Sequence, residues 1–346
     1  MKPELFIQAL PKAELHLHLE GSLDPATLAE LSRRNNTPLP TENNRYDTTG
    51  SGDLLSEADV RRLYSYQDFT GFLMAFKAAT ERLRTPEDYE LATYRLMQKL
   101  KQQNAVHAEV YVSVGVVRWR GQEFEPLFEG MERGRDRGQR DFGISLLWIF
   151  DAVRHFGPDA AADVFDLAAK FRDRNVAGIG IGGDEQRGPA EWFHDLFKKA
   201  ADNGLRLTAH AGETGGPESV WAALNIGAER IGHGLAIARD PELTEVLVEK
   251  QVPIEVCISS NLRTKLCASV REHPVKRFFD SGLMVTLNTD DPAMFQTSLC
   301  KEYELAQQEF EFTDDHLREL ARNSFEASFL PVEKKLRFLQ QIDFMV

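Results

Sequence analysis

Glu14-Leu15-His16-Leu17-His18-Leu19-Glu20-Gly21 alternates strictly between leucines and polar side chains and stops at a glycine. Successive side chains of a strand point to opposite faces. Leu15, Leu17 and Leu19 therefore share one face, and His16, His18 and Glu20 share the other. The pattern predicts a strand over 14–19 that packs leucines on helices and turns two imidazoles toward an interior. Strand-like runs recur at Val106–Val117, Ile144–Phe150, Val176–Ile181, Leu205–Ala209, Arg230–Gly232, Pro253–Ile258 and Met284–Leu287. Amphipathic helical stretches separate them, with N-cap and first-turn signals at Asp24-Pro25, Thr85-Pro86 and Asp240-Pro241. Gly282 sits where the helix before the last strand needs a left-handed cap. Eight strands alternating with helices predict an α/β fold of parallel βα units closed into a (β/α)8 TIM-type barrel. A doubly wound open sheet is the alternative.

Two departures from an ideal barrel are visible. A polar stretch from Thr37 to Ser56 makes the first strand-to-helix connection long, and it leads into Tyr66-Gln67-Asp68-Phe69-Thr70-Gly71-Phe72-Leu73-Met74-Ala75-Phe76. Such connections lie on the C-terminal face of a barrel, where its chemistry sits. Helical patterns over Leu305–Phe329 and Val332–Ile342 continue past the eighth strand as extra C-terminal helices, so residues 1–346 are expected to form a single domain.

The 346 residues carry 41 Lys and Arg against 54 Asp and Glu, a net charge of −13. No basic stripe offsets it, which argues against nucleic acid and anionic membranes and for a small neutral substrate. Cys257, Cys267 and Cys300 lack C-x-x-C spacing and read as small buried hydrophobes in a reducing compartment. Met1 to Pro11 has no long apolar segment and no run reaches spanning length, so the chain is expected to be cytoplasmic. Oligomeric state has no signature in the sequence.

Beyond the His16/His18 strand, the fifth strand ends in His210-Ala211-Gly212-Glu213, the sixth in Gly232-His233-Gly234 and the eighth in Asn288-Thr289-Asp290-Asp291-Pro292. Singly, each is weak: a lone His is more often a core residue, and Asp-Asp-Pro more often a helix cap. A barrel, however, gathers the ends of strands one, five, six and eight around one mouth. Three His and one carboxylate suit Zn2+, although Fe2+, Mn2+ or Co2+ would also accept them. His16, His18, His210 and Asp290 are assigned to the metal, one ion per chain, with room for a water whose pKa such an ion lowers toward about 7. Glu213 and His233 remain for proton handling. The expectation is a metal-dependent hydrolase.

These motifs, with Gly183-Asp184-Glu185, resemble the adenosine deaminase family of the amidohydrolase superfamily. The resemblance runs from Pro11-Lys12-Ala13-Glu14-Leu15-His16-Leu17-His18 to Ser328-Phe329-Leu330-Pro331, with five motifs in family order. The Pro-Cys-x-x-Cys signature of the unrelated zinc base deaminases is absent. The resemblance implies zinc-dependent hydrolysis at C6 of an adenine-type purine, with release of ammonia. It implies that Glu213 handles a proton at ring N1, that His233 orients the attacking water and helps accept its proton, that Asp291 holds N7, and that the Gly183 N–H faces N3. Glu213 should then have a pKa raised by burial. Phe69, Phe72, Leu73 and Phe76 correspond to an apolar lid, although their spacing equally suits a buried helix face.

Two positions depart from the family pattern. Adenosine-specific members commonly carry Asp, contacting the 5′-hydroxyl, where this chain has Glu20. Relatives usually carry Arg where it has Tyr111. Adenosine or a 5′-modified adenosine such as aminodeoxyfutalosine is the substrate implied, free adenine the alternative, and an amide or ester cleaved by another amidohydrolase a more distant one. Arg154 and Arg263 could meet an anionic 5′ group but read first as surface or structural ion pairs.

Overall fold

The computed structural model describes residues 3–38 and 54–344. Eight strands form one parallel ring: β1 Lys12–His18, β2 Ala105–Val112, β3 Ser145–Val153, β4 Val176–Gly182, β5 Arg206–Ala211, β6 Arg230–His233, β7 Ile254–Val256 and β8 Val285–Leu287. Each pairs with the next in the sequence. The final seam is closed by a single residue. Asp290 donates its backbone N–H to the His16 carbonyl (3.0 Å) and accepts from the His18 N–H (2.8 Å). Asn288 Oδ1 reinforces the seam by accepting from the Leu15 and His16 amides.

Alternation separates wall from lumen. Leu15, Leu17 and Leu19 are fully buried. On β3, Phe150 packs on Phe124, Phe128 and Phe171 of the surrounding helices, so Ile149, Asp151 and Val153 turn inward. On β4, Ile179 and Ile181 join the outer core, and Gly178, Gly180 and Gly182 fall on the inner face. Asp24, Thr85 and Asp240 cap helices as expected, and Gly282 adopts φ 84°.

Several boundaries differ from expectation. The second strand stops at Val112. The apolar run beyond it coils into the helix Val114–Trp119, burying Val114 and Val117 three residues apart. The strand over 14–19 ends at His18, and Glu20 opens the 3-10 turn Glu20–Ser22. The long first connection carries helices of its own, Pro25–Asn35, Glu57–Leu63 and Phe69–Thr80, before Pro86–Gln102 packs beside β2. Of the Thr37–Ser56 stretch, residues 39–53 lie outside the described residues. The pattern Leu305–Phe329 is two helices, Leu299–Phe310 and Asp314–Glu326, parted where Glu311 takes φ 58° and Thr313 caps the second. That second helix meets the barrel directly: Ser324 Oγ accepts from the Ala13 N–H, and Asn323 donates to the Val285 carbonyl.

All three cysteines are buried and unpaired. Among the described residues, no helix is long and apolar enough to cross a membrane. An open cavity of about 690 Å³ lies outside the barrel wall, behind Thr289 and Pro292, and it holds none of the groups assigned to the chemistry.

Candidate active site

The strand ends bring the predicted histidines together. His16, His210, His233 and Asp290 present ligand atoms that all lie within 4.8 Å of one another. His18 joins the same cluster, with Nε2 3.3 Å from His210 Nε2 and 3.4 Å from Asp290 Oδ1. Burial and the neighbouring imidazoles push His16 and His210 well below the ordinary value, and burial lowers His18. All three rings are therefore neutral, the form that coordinates a metal.

Hydrogen bonds to the far ring nitrogens fix which nitrogen is left to coordinate. His16 Nδ1 meets Glu255 Oε2 at 2.7 Å, and His210 Nδ1 meets the Ile181 carbonyl at 3.2 Å. Both acceptors require N–H at Nδ1, which leaves the Nε2 lone pairs facing the cluster. His16 Nε2 is buried with no hydrogen-bond partner among the described residues, and the Nε2 atoms of His18 and His210 face one another. A cation is what such a donor set accommodates.

His233 is held in the opposite sense. The Val275 N–H donates to His273 Nδ1, His273 Nε2–H donates to Asn261 Oδ1, and the Asn261 amide donates to His233 Nδ1. With Nδ1 accepting, the neutral ring carries its proton on Nε2. That atom lies 3.8 Å from Glu213 Oε1 and 3.9 Å from Asp290 Oδ2. Of the five groups, His233 is thus the one whose inward nitrogen is not free to coordinate. Both His233 (φ 63°) and Asp290 (φ 61°) hold left-handed backbone conformations that cost non-glycine residues stability, a strain that gathers at functional sites.

Glu213 sits on the loop after β5 with its side chain 9% exposed. Burial raises its carboxyl to about 7, the direction expected from the sequence. The loop itself is organised by Glu185, whose carboxylate accepts from the backbone N–H groups of Gly212, Glu213, Thr214 and Gly215 and from the Ser219 hydroxyl. Burial alone would raise the Glu185 pKa. The Ser219, Thr214 and Gly215 hydrogen bonds reverse that, so Glu185 stays ionised. Glu185→Ala should orphan those amides and cost about 1–3 kcal/mol per unsatisfied buried group. Denaturant unfolding should report a stability loss together with a fall in activity. Unchanged stability would mean that the loop has another anchor.

The remaining predicted residues line the same mouth. Glu20 has Oε1 bonded to the Ser113 N–H at 2.9 Å and Oε2 buried with no partner among the described residues, and burial raises it to about 7. Asp291 is pressed against Gly21, where a Cβ would lie 1.8 Å from Oδ1, so this motif position admits only glycine. Burial and the adjacent Asp290 push the Asp291 carboxyl well up. Gly183 follows β4 with φ 95°, a conformation glycine tolerates. On the helix Phe69–Thr80, Phe76 turns its ring toward His18 (6.4 Å), whereas Phe72 stacks on Phe295 (5.0 Å). Leu73 stays largely exposed, and Phe69 packs on Phe72. The spacing therefore serves covering and packing at once.

Tyr111 lies among His16, His18 and His210, and its hydroxyl donates to Glu255. Among the described residues, neither arginine forms the ion pair expected. Arg154 is fully buried and donates to the Gly188 and His210 carbonyls, and Arg263 donates to the Tyr64 carbonyl. Both are structural.

Sequence reasoning missed the support beneath the cluster. Arg230 contacts Glu109 at 2.5 Å and lies 2.6 Å from Glu255 Oε1, an ion contact in which the Nε–H is not aimed at the oxygen. Glu255 in turn holds His16. Arg230 and Glu255 stand on the short strands β6 and β7, and their pairing with Glu109 on β2 is legible only once the barrel is closed.

Residues 11–345 match the sequence pattern of the Adenosine deaminase family. The chain is 37% identical over 342 residues to the aminodeoxyfutalosine deaminase of Streptomyces avermitilis, covering 98% of this chain and 92% of that one. It is 34% identical over 337 residues to the adenine deaminase of Wolinella succinogenes, covering 97% and 98%. An amidohydrolase from Burkholderia ambifaria, solved with bound Zn, superposes with a TM-score of 0.86 at 27% identity over 98% of this chain and 92% of that one. A barrel with this donor cluster, matched to the family from its first strand to its last helix, belongs to the adenosine deaminase family, and the protein is a hydrolytic deaminase of the amidohydrolase type.

Proposed function

We propose that the protein removes the 6-amino group of an adenine-type purine nucleoside, adenosine or a 5′-modified adenosine such as aminodeoxyfutalosine, with residues 1–346 acting as one domain. The observation that carries this reading is the convergence of His16, His18, His210 and Asp290 beside Glu213, whose raised pKa lets it deliver a proton near neutrality. The four converging groups would hold one Zn2+, with His233 left out by its tautomer. The zinc in the Burkholderia relative supports that choice of metal. Such an ion, when bound, activates a water molecule for attack.

The protein's own groups then divide the work. Glu213 protonates ring N1, which makes C6 electrophilic. His233 donates from Nε2 and so orients the water. Its fixed tautomer favours that role over accepting the water's proton, which Glu213 can take once N1 has relieved it of its own. Passing that proton to the departing amine releases ammonia, and the hydroxyl left on C6 returns its proton to Glu213, which leaves the 6-oxopurine. Asp291, whose carboxyl burial and the adjacent Asp290 push up, holds N7, and the Gly183 N–H faces N3. Phe72 and Phe76 exclude water above the ring.

The near-equal likeness to an adenine deaminase supports a second reading, in which Glu20 crowds out the ribose and free adenine is the substrate. Competing adenosine, aminodeoxyfutalosine and adenine in one assay separates the cases. If Glu20 is spaced for a longer 5′ end, the 5′-extended nucleoside should have the highest kcat/KM, and Glu20→Asp should move preference toward adenosine. Adenosine winning by more than about tenfold, roughly 1.4 kcal/mol of discrimination, would end the 5′ argument.

A further inference from the structure

Asp151 has no part in the chemistry above, yet it stands in the lumen. It lies near the end of β3 on the inward face, 5% exposed, and among the described residues its Oδ1 has no hydrogen-bond partner. The wall beside it has been cleared. β4 is paired with β3 in the register Asp151↔Gly180, and its inward positions are all glycine. A Cβ at Gly180 would lie 3.0 Å from Asp151 Oδ1 and 2.9 Å from the Tyr111 ring. One at Gly182 would lie 3.2 Å from Asp151 Oδ2 and 3.3 Å from the His210 ring. On the same side of the mouth, at the end of β1, Glu20 Oε2 is likewise buried and, among the described residues, without a partner. Leaving buried polar atoms unpaired costs about 1–3 kcal/mol each, so two orphaned carboxyl oxygens in one mouth ask for a ligand that satisfies them.

We propose that Asp151, with Glu20, binds the sugar hydroxyls of the purine nucleoside and is a specificity-determining residue for nucleoside over free base. This inference rests on the proposed purine placement. With N1 and C6 at Glu213 and His233 on the β5 and β6 ends, N7 at Asp291 after β8 and N3 at Gly183 after β4, N9 must point toward the ends of β1 to β3. Glu20, Ser113 and Asp151 stand there. Free adenine offers that side one N–H, at N9. A ribose offers several hydroxyls, each able to donate or accept, so it can satisfy both carboxyls. The count of unfilled oxygens therefore favours a nucleoside.

The test compares kcat/KM on adenosine and on adenine for the wild type, Asp151→Asn and Asp151→Ala, with metal content and melting temperature measured alongside. The adenosine-to-adenine ratio should fall at least tenfold in Asp151→Ala, mainly through KM, and by less in Asp151→Asn. A second arm needs no variant. 2′-, 3′- and 5′-deoxyadenosine are assayed on the wild type, and at least one should lose about tenfold against adenosine. The inference is overturned if the ratio stays within about twofold in a folded, metal-loaded variant, if no deoxynucleoside loses more than twofold, or if the wild type accepts adenine alone. A wild type that deaminates no purine would remove the proposed function itself. One that deaminates nucleosides with a flat ratio would remove only the role of Asp151.

Discussion

Replacing Glu213 with glutamine should lower kcat by at least ~10²-fold, the usual contribution of a positioned acid–base group, while metal content and purine binding persist. Glutamine keeps the shape and hydrogen-bond reach of the side chain but has no proton to deliver to N1. The pH profile gives a second readout. Burial holds the wild-type carboxyl at about 7, so it is protonated below that pH and ionised above it. Wild-type kcat/KM should therefore decline as pH rises through about 7, and the residual activity of Glu213→Gln should lack that limb. Stopped assays across pH 5–9 with parallel elemental analysis decide the matter. A fully active glutamine variant would mean that N1 takes its proton from another group.

His16→Ala should abolish metal binding at stoichiometric loading. His16 contributes the Nε2 that Glu255 orients through Nδ1, and removing it takes away a coordinating atom as well as its support. Loss of an outer partner alone commonly weakens metal affinity ~10–100-fold, so Glu255→Gln should fall in that range and His16→Ala beyond it. Elemental analysis after dialysis against a weak chelator should find close to one ion per chain in the wild type and little in His16→Ala. Full occupancy in the alanine variant would remove His16 from the ligand set.

The sequence discloses the barrel well because alternation and glycine stops are local. His16 and His18 are two residues apart on one strand, and the reader needs only the period of two to turn them inward. His210, His233 and Asp290 are legible because each lies at a strand end or within three residues of one, and eight strands have one mouth. The alternation argument fails two residues past the end of β1. Glu20 continues the alternation on paper but belongs to a 3-10 turn, and its burial comes from Ser113 and the rim. Val114 and Val117 extend a strand pattern yet bury a helix face. What stayed hidden depends on pairing across the lumen. Nothing local marks Glu185 as the anchor of the Glu213 loop, Asn261 as the group that sets the His233 tautomer, or Asp151 as an orphan. The left-handed backbone of His233 and Asp290 is likewise imposed by tertiary structure, with only the flanking glycines of Gly232-His233-Gly234 as a hint.

The seam at Asp290 links the chemistry to the order in which the chain is made. His16 and His18 leave the ribosome early, but the residue that both closes the barrel over them and completes the donor set is synthesised near the end. Contacts this distant in sequence form late, because loop-closure entropy must be overcome before they stabilise anything. A nascent chain therefore carries the histidines well before the carboxylate that completes their cluster. Refolding in the presence of Co2+ should develop its ligand-field absorption only in the slowest phase. Absorption appearing in an early phase would mean that the cluster assembles before the ring is closed.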